Sequence, residues 1–214
     1  MSVDAIAPGD APQGRRFVPP LPGTDRQQAF LLQLGDAHAA LHDPAAIMQT
    51  SARLLCEHLD ADRTLYLGIE DADGERQCHV RGQYSRHFPP LPERFDDDAS
   101  SLGWVSAQLR LGRPVVVADA ATDRRLDPAV RRAWLATGVL ALVAVPLLRN
   151  GREVVHFGCH HHSARRWTDA EVALIAEVAE RTRAAVERAR AETALRASEA
   201  KYRAIVDSIN EGIA

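Results

Sequence analysis

The stretch from Thr168 to Glu211 contains neither glycine nor proline and is dense in alanine, glutamate and arginine. This composition predicts one long helix, because these residues have high helix propensity and nothing interrupts the backbone hydrogen bonds. Thr168, followed by Asp169 and Glu171, is typical of a helix N-terminus. A helix of this length exceeds what a single domain usually packs, so we expect it to continue beyond the domain that carries it.

Two interpretations of this helix stay open. Apolar and small residues recur with the four-three spacing of a coiled-coil interface, at Ile175, Ala179, Thr182, Val186, Ala189 and Thr193. Alternatively, the first half packs on the domain and the remainder is solvated. The pattern then shifts to Leu195, Ser198, Tyr202, Ile205 and Ile209, which indicates a junction between two units.

The remaining pattern alternates between helices and strands. Residues 1–23 are rich in Pro, Gly, Ala and Asp and predict a disordered leader. Two helices are predicted from Asp25 and from Asp43-Pro44, then strands over residues 63–70 and 75–83. A helix capped by Ser100 or Ser101, a strand at residues 114–117, a helix from Asp127-Pro128 and a hairpin at Asn150-Gly151 follow. This order predicts an α+β fold, with helices flanking an antiparallel sheet.

Charge and cysteine content exclude several classes of function. The 214 residues carry 26 basic and 29 acidic side chains, mixed along the chain, so no nucleic-acid or membrane contact is expected. No signal peptide or apolar stretch of membrane-spanning length is present in the sequence. The cysteines Cys56, Cys78 and Cys159 form no CxxC pair. We therefore expect a cytoplasmic protein.

Three segments in this order resemble the GAF family, notably GAF modules of bacterial sensor histidine kinases. They are RPVVVADAATDRRL (residues 113–126), ALVAVPLLRNGREV (residues 141–154) and ARRWTDAEVALIAEVAERTRAAVERA (residues 164–189). The resemblance assigns residues 24–190 to a GAF-like sensory domain. The tail SEAKYRAIVDSINEGIA (residues 198–214) resembles the start of a PAS domain. Residues 191–214 are therefore assigned to a linker helix and the start of such a domain.

The resemblance implies a sensor whose pocket lies between the sheet and residues 84–138, and whose long helix relays the signal within a homodimer joined through that helix. The parent protein would be a histidine kinase. Candidate ligand-binding residues are aromatic and polar side chains in or near those segments: Tyr66, Phe95, Trp104, Asp119, Asp123, Arg125, Trp134 and His156. For each, a plain core, capping or loop-fixing role is the alternative.

The histidines His156, His160, His161 and His162 raise the question of a metal. On a strand, His156 and His160 share one face while His161 points to the other, and no neighbouring cysteine pair or carboxylate cluster completes a ligand set. We therefore expect no metal site.

No cofactor is required by the sequence, and neither a bilin nor a haem is expected. Cys78-His79 and Cys159-His160 lie on predicted strands, whereas in bilin-binding GAF domains the Cys-His pair lies on a helix. No catalytic residues are identified, so the chain is not expected to be an enzyme. The alternatives are an enzyme of the free methionine sulfoxide reductase type, which needs a reactive thiolate, and a purely structural dimerisation unit.

Overall fold

The computed structural model describes residues 22–72, 75–96 and 102–212. Its elements in chain order are α1 (Pro22–Ala40), α2 (Pro44–Leu59), β1 (Arg63–Ala72), β2 (Glu75–Ser85), β3 (Arg94–Asp96), α3 (Trp104–Arg110), β4 (Val115–Val117), α4 (Pro128–Ala136), β5 (Ala141–Arg149), β6 (Arg152–His161) and α5 (Asp169–Gly212).

The six strands form one antiparallel sheet in the order β3-β2-β1-β6-β5-β4. The hairpin between β5 and β6 turns at Asn150 and Gly151, both with positive φ (52° and 76°), as a tight two-residue turn requires. Helices flank both faces of the sheet. The predicted α+β class and the antiparallel sheet are confirmed.

Local capping explains where the two best-defined helices begin. Asp43 accepts a hydrogen bond from the backbone N–H of Ala46 (2.8 Å), and Pro44 occupies the first turn of α2. At the start of α5, the Thr168 hydroxyl accepts from the Glu171 N–H (3.2 Å), while the Glu171 carboxylate accepts from the Thr168 N–H (2.7 Å). This reciprocal pair is a capping box.

Helices α1, α2 and α5 cover the first face of the sheet. The strands contribute alternate residues to this face, including Tyr66, Val143 and Phe157, as the two-residue period of a strand dictates. Buried helical residues complete the main core, among them Leu34, Ile47, Leu55, Ile175 and Val178. A layer of helices therefore covers the first face of the sheet.

The second face carries a smaller core and thinner cover. Helices α3 and α4 and strand β4 pack there on the alternate residues of β5, with Val105, Leu109, Val130, Leu142 and Ala144 buried. Gly112 and Gly138, both with positive φ, end the turns that follow these two helices. The cover of the second face is thus built mostly from residues 102–139.

Several element boundaries differ from the predictions. Strand β3 was missed, because a three-residue edge strand that pairs only with β2 leaves no alternation to detect. Helix α1 begins at Pro22 rather than Asp25. The predicted caps Ser100 and Ser101 lie outside the described residues, and Gly103 precedes α3 without a side-chain cap. The predicted leader also lies outside them, except for its last two residues, which belong to α1.

The first half of α5 packs on the domain. Ile175, Ala179, Thr182, Val186 and Ala189 are each at most 4% exposed, although they follow coiled-coil spacing. Their burial within one chain favours the second sequence-based interpretation for this half. Beyond Ala189 the large apolar side chains with described exposure point to solvent, namely Leu195, Tyr202 and Ile205.

Candidate ligand-binding site

A cavity of about 240 Å³ opens on the second face, between the sheet, helix α4 and the segment around β3. Most of its wall is apolar. It is lined by Arg63, Leu65, Leu67, Leu91, Pro92, Phe95, Leu102, Ala133, Trp134, Thr137, Val139, Leu142 and His160. An apolar cavity with few polar groups is the usual form of a small-molecule site.

Strand register places the polar groups of the cavity. Arg63 of β1 pairs with His160 of β6, and Leu142 of β5 pairs with His160 from the other side. Paired residues on adjacent strands point to the same face, so these three side chains form a row across the cavity floor. Leu65 and Leu67 follow Arg63 on the same face of β1 at the two-residue period of the strand.

Arg63 is a buried cation, with only 3% of its surface exposed. Its Nη1 donates to the carbonyl of Pro89 (3.3 Å), its Nε donates to His160 Nδ1 (3.2 Å), and its guanidinium lies 4.7 Å from the centre of the Phe88 ring. Within the described residues, no carboxylate pairs with it. Burial lowers the pKa of Arg63 to about 10, so it stays charged at neutral pH. A buried guanidinium without a counter-ion is costly unless a ligand supplies one.

His160 is held neutral beside this arginine. Burial, with the charge of Arg63 as a further cause, holds the pKa of His160 well below its usual range. Its Nδ1 accepts hydrogen bonds from Arg63, so the ring proton of the neutral form resides on Nε2. Arg63 and His160 thus supply hydrogen-bond donors and positive charge, and no negative charge, to this part of the cavity.

Of the residues predicted from sequence, Phe95 and Trp134 line the cavity. Phe95 lies on β3 opposite Cys78, and Trp134 belongs to α4 and is 9% exposed. These two aromatic side chains come from segments 39 residues apart (134 − 95) and meet only through the fold. The remaining predicted residues lie elsewhere.

Four predicted residues form a separate cluster that fixes the loop after β4. Asp119 accepts from the N–H of Ala121 (2.9 Å), which closes the turn. Asp123 pairs with Arg125, and this ion pair holds the pKa of the Asp123 carboxyl below its usual range. Arg125 also donates to the Val116 carbonyl (2.7 Å) and lies 4.7 Å above the Trp104 ring. These contacts anchor the loop to β4 and α3.

Tyr66 and His156 are placed away from the cavity. Tyr66 lies in the core of the first face, with its ring edge-on to Phe157 at 5.6 Å. His156 is buried, and its Nδ1 lies 3.2 Å from Glu153 Oε1. Glu153 also forms an ion pair with Arg76, so these three side chains form a buried polar cluster.

Sequence reasoning missed Arg63 as a site residue, although a signal was present. The two-residue spacing of Arg63, Leu65 and Leu67 places an arginine on the same strand face as two leucines. Such an arginine is either exposed at a sheet edge or buried with a functional role. Only the fold shows that β1 is a central strand. Apart from His160 and Thr137, the remaining cavity residues are apolar and carry no polar chemistry that a sequence could reveal.

All three cysteines are fully buried. The Cys56 thiol lies 3.0 Å from the carbonyl of Ala61. Burial raises the pKa of Cys56 and raises that of Cys159 to about 12. Reactive thiolates are exposed and have a lowered pKa, so these cysteines behave as small apolar core residues.

Comparison with known proteins decides the family. The sequence pattern of the GAF domain matches residues 43–186. The chain belongs to the GAF family. This match contains the whole cavity and most of the part of α5 that packs on the domain, and it confirms the resemblance to the GAF family.

Solved GAF structures share this fold. The blue-light absorbing form of the Thermosynechococcus elongatus PixJ GAF domain is 22% identical, with a TM-score of 0.60, and covers 73% of this chain and 92% of its own. A phycoerythrobilin-bound GAF domain from a cyanobacterial phytochrome is 16% identical, with a TM-score of 0.66 and coverages of 79% and 99%. A free methionine-R-sulfoxide reductase from Neisseria meningitidis is 16% identical, with a TM-score of 0.61 and coverages of 78% and 91%.

At these identities the likeness shows the fold alone. No curated protein sequence matches the chain significantly. None of the helices in the described part of the chain combines the length and the apolar character that a membrane span requires.

Proposed function

We propose that this GAF domain is the sensory module of a signal-transduction protein and binds a small, mainly apolar ligand that carries a carboxylate or a similar anionic group. One observation carries the proposal: Arg63, a buried guanidinium without a carboxylate partner among the described residues, lines an apolar cavity. An anionic oxygen at this point would neutralise Arg63 and accept a hydrogen bond from His160 Nε2. The apolar walls would hold the rest of the ligand.

The size of the cavity limits the ligand. At about 240 Å³ it lies below the roughly 300–1,000 Å³ typical of sites for drug-sized molecules. This favours a ligand with about one ring over a tetrapyrrole.

The similar solved structures include bilin-bound GAF domains, so the sequence-based expectation against a bilin stays a prediction. An absorption spectrum of the freshly purified protein tests it.

The first experiment is native mass spectrometry of the freshly purified full chain, followed by thermal unfolding with matched acid and amide pairs. Benzoate with benzamide, and indole-3-acetate with indole-3-acetamide, differ mainly in the charge that Arg63 would bind. At a concentration of 100 times Kd, a ligand adds about 2.7 kcal/mol, and hence raises the Tm by about 5–10 °C. We expect at least one acid to raise the Tm while its amide does not.

A variant that fills the cavity provides the control. Leu91 lies on the cavity wall and its side chain is half-buried, so Leu91→Trp should abolish the Tm shift. Leu111→Trp places the same side chain at a position that is 62% exposed and outside the cavity, and should leave the shift unchanged. Equal shifts for acid and amide, or equal behaviour of the two variants, would contradict the proposal.

We further propose that the module acts within a larger cytoplasmic protein, with a PAS domain following α5 and a histidine kinase as the output. Supporting this are the family of the domain and a helix α5 that continues past the domain core. A ligand that favours one packing of α5 over another would shift the output by its difference in affinity for the two states. A homodimer joined through the distal part of α5 would carry that change to both chains.

The alternative of a methionine sulfoxide reductase has the support of one similar structure, but the cysteines oppose it. Such chemistry needs an accessible thiolate. We expect no reaction of the three thiols with Ellman's reagent in the native protein, and three equivalents on unfolding. A thiol that reacts rapidly in the native state would revive the enzymatic alternative.

A further inference from the structure

Three imidazoles surround one buried carboxylate, Asp62, at the end of the sheet where β1 begins and β6 ends. The Asp62 side chain is 6% exposed. Its Oδ2 lies 2.6 Å from His162 Nδ1 and 3.6 Å from His161 Nδ1, and its Oδ1 lies 3.7 Å from His87 Nε2. The chain thus brings together residues from the start of β1, the β2–β3 connection and the end of β6.

The backbone fixes this carboxylate in place. The Asp62 N–H donates to the His160 carbonyl (3.1 Å), and its own carbonyl accepts from the Arg86 N–H (2.8 Å). The His162 N–H donates to Asp62 Oδ2 (2.8 Å), which fixes the chain of His162 against the same group. Asp62 and His162 are therefore pre-positioned, whereas the His162 ring, 59% exposed, can still turn.

The arrangement is unlike a simple ion pair. Nearby arginines are engaged elsewhere: Arg86 pairs with Asp60, and Arg165 pairs with Glu171. Within the described residues, the only basic side chains that pair with Asp62 are imidazoles. The cluster therefore contains more imidazoles than one carboxylate needs as ion-pair partners. In their neutral form, imidazoles are metal ligands.

We propose that Asp62, His161 and His162 form a binding site for a divalent transition metal, with zinc as the best match. Each residue offers one ligand atom, and the three atoms lie within 4.8 Å of one another. Ligand atoms at the 2.0–2.1 Å bond lengths of tetrahedral zinc stand about 3.3 Å apart. Asp62 Oδ2 and His162 Nδ1, now 2.6 Å apart, would therefore separate, and the wider pairs would move closer together. Nitrogen and carboxylate ligands suit zinc, cobalt and nickel rather than magnesium or calcium.

Strand geometry explains why sequence analysis pointed away from a metal. Neighbouring residues on a strand point to opposite faces, but β6 ends at His161, so His162 is free of that alternation. The two rings stack with centroids 5.1 Å apart. The carboxylate comes from Asp62, which lies 100 residues before His162 in the chain, so no local sequence pattern indicates the pair.

Metal binding would displace two sets of contacts. His162 Nδ1 lies 2.6 Å from Asp62 Oδ2, and coordination through Nδ1 would replace this hydrogen bond. His161 Nδ1 now lies 2.9 Å from the Ser163 hydroxyl and 3.2 Å from the Ser163 N–H. Coordination through Nδ1 would displace these contacts, and the hydroxyl would rotate to another acceptor or to water. His87 lies beside the same carboxylate on the β2–β3 connection and is 64% exposed, so a rotation of its ring can bring a further nitrogen to the ion.

The test is zinc binding to the full chain, purified without a histidine tag and stripped of metal with a chelator. We expect one zinc per chain at micromolar concentration by equilibrium dialysis and elemental analysis. His162→Gln should weaken the affinity at least about tenfold, because it removes a ligand while its exposed position spares the core. Asp62→Asn should do the same, and circular dichroism will show whether that variant stays folded.

His42→Gln is the matched control, because His42 is 63% exposed and also lies beside a carboxylate, Glu192, but outside the cluster. It should bind zinc as the wild type does. Cobalt provides a second measurement, since its visible absorption reports coordination directly and should disappear in His162→Gln. The proposal is overturned if the wild type binds less than one zinc per chain at micromolar concentration, if His162→Gln binds as tightly as the wild type, or if His42→Gln loses as much affinity.

Discussion

Gly82 on β2 lies directly against the backbone of helix α2. A Cβ at this position would stand 2.7 Å from the carbonyl carbon of Met48 and 2.9 Å from its oxygen. Backbone atoms cannot move aside as a flexible side chain can. We therefore expect Gly82→Ala to lower the free energy of unfolding by about 1–3 kcal/mol, as overpacking does. Urea unfolding followed by circular dichroism measures the change.

Gly35 is the matched control for this substitution. It lies on the exposed side of α1, and a Cβ there would meet nothing within 4 Å. Alanine has the higher helix propensity, so Gly35→Ala should raise the free energy of unfolding by about 0.5–1 kcal/mol. If both glycine variants change stability in the same direction, the close contact between β2 and α2 does not determine the effect.

His38 on α1 gives a prediction of pH dependence. Its Nε2 donates to the Ser51 hydroxyl (2.8 Å), which itself donates to the Ile47 carbonyl. Burial, followed by the charges of Arg188 and Arg181, lowers the pKa of His38 in the folded protein. As the pH falls below about 6.5, the unfolded chain therefore takes up a proton at His38 before the folded chain does, and stability decreases.

We expect His38→Gln to flatten this dependence, because the glutamine amide can still donate to Ser51 and does not titrate. Comparing urea midpoints at pH 7 and pH 5 for both proteins measures the difference. A residual slope should remain, since burial also lowers the pKa of His58 and holds the pKa of His160 well below its usual range. The same slope in variant and wild type would show that His38 is not a source of the acid sensitivity.

Single residues are also where sequence analysis reached its limit. Phe95 and Trp134 were found as cavity residues because aromatic side chains near a loop are conspicuous. Arg63 was not found, because its importance comes from having no carboxylate partner in the part of the chain that the structure describes. Asp62 was not found, because the histidines beside it are distant in sequence. Tyr66 lies on the opposite face of the sheet, in the main core and at the wall of a different cavity.

At the level of elements, the capping box at the start of α5 determines where this helix leaves the preceding loop. Glu171 binds Thr168 and also accepts from Arg165 (2.6 Å), so one carboxylate ties the loop to the helix. Thr168→Ala should lower the free energy of unfolding by about 1 kcal/mol. Thr168→Ser keeps the hydroxyl and should retain stability.

A threonine inside the same helix is the control for this effect. The Thr193 hydroxyl donates to the Ala189 carbonyl within α5 and caps nothing. Thr193→Ala should therefore cause no loss, because alanine is the better helix former. Equal losses in the two alanine variants would mean that the cap contributes nothing specific. Chemical denaturation of all three variants makes the comparison.

Elements with strong periodicity were predictable, and elements defined by their partners were not. The hairpin at Asn150-Gly151 and helices α2 and α5 follow from local turn and capping chemistry. Strand β3 exists only through its pairing with β2, so nothing local specifies it. The spacing along α5 was ambiguous for the same reason: a four-three pattern fits a partner helix and the domain surface equally, and burial within the chain decides.

At the scale of the whole molecule, α5 divides into a half that packs on the domain and a half that extends beyond it. Among the residues of α5 whose burial is described, Ala189 is the last buried one, whereas Leu195 and Tyr202 are 60% and 69% exposed. At 1.5 Å per residue, the part beyond Arg190 extends about 33 Å. Apolar residues and one serine follow the three-four spacing of a coiled coil there, at Leu195, Ser198, Tyr202, Ile205 and Ile209. A parallel partner helix would bury this stripe.

We therefore expect the full chain to form a dimer by sedimentation equilibrium and a chain ending at Arg190 to be a monomer with unchanged near-ultraviolet circular dichroism. The truncation keeps every core residue that the structure describes as buried, so the fold should survive it. Leu195→Asp combined with Tyr202→Asp should also give a monomer, because charge would replace the interface. Leu32→Asp, at a position 67% exposed on α1, should leave the dimer intact. A truncated chain that still dimerises would place the interface on the domain itself, and α5 could then not be the element that joins the two chains.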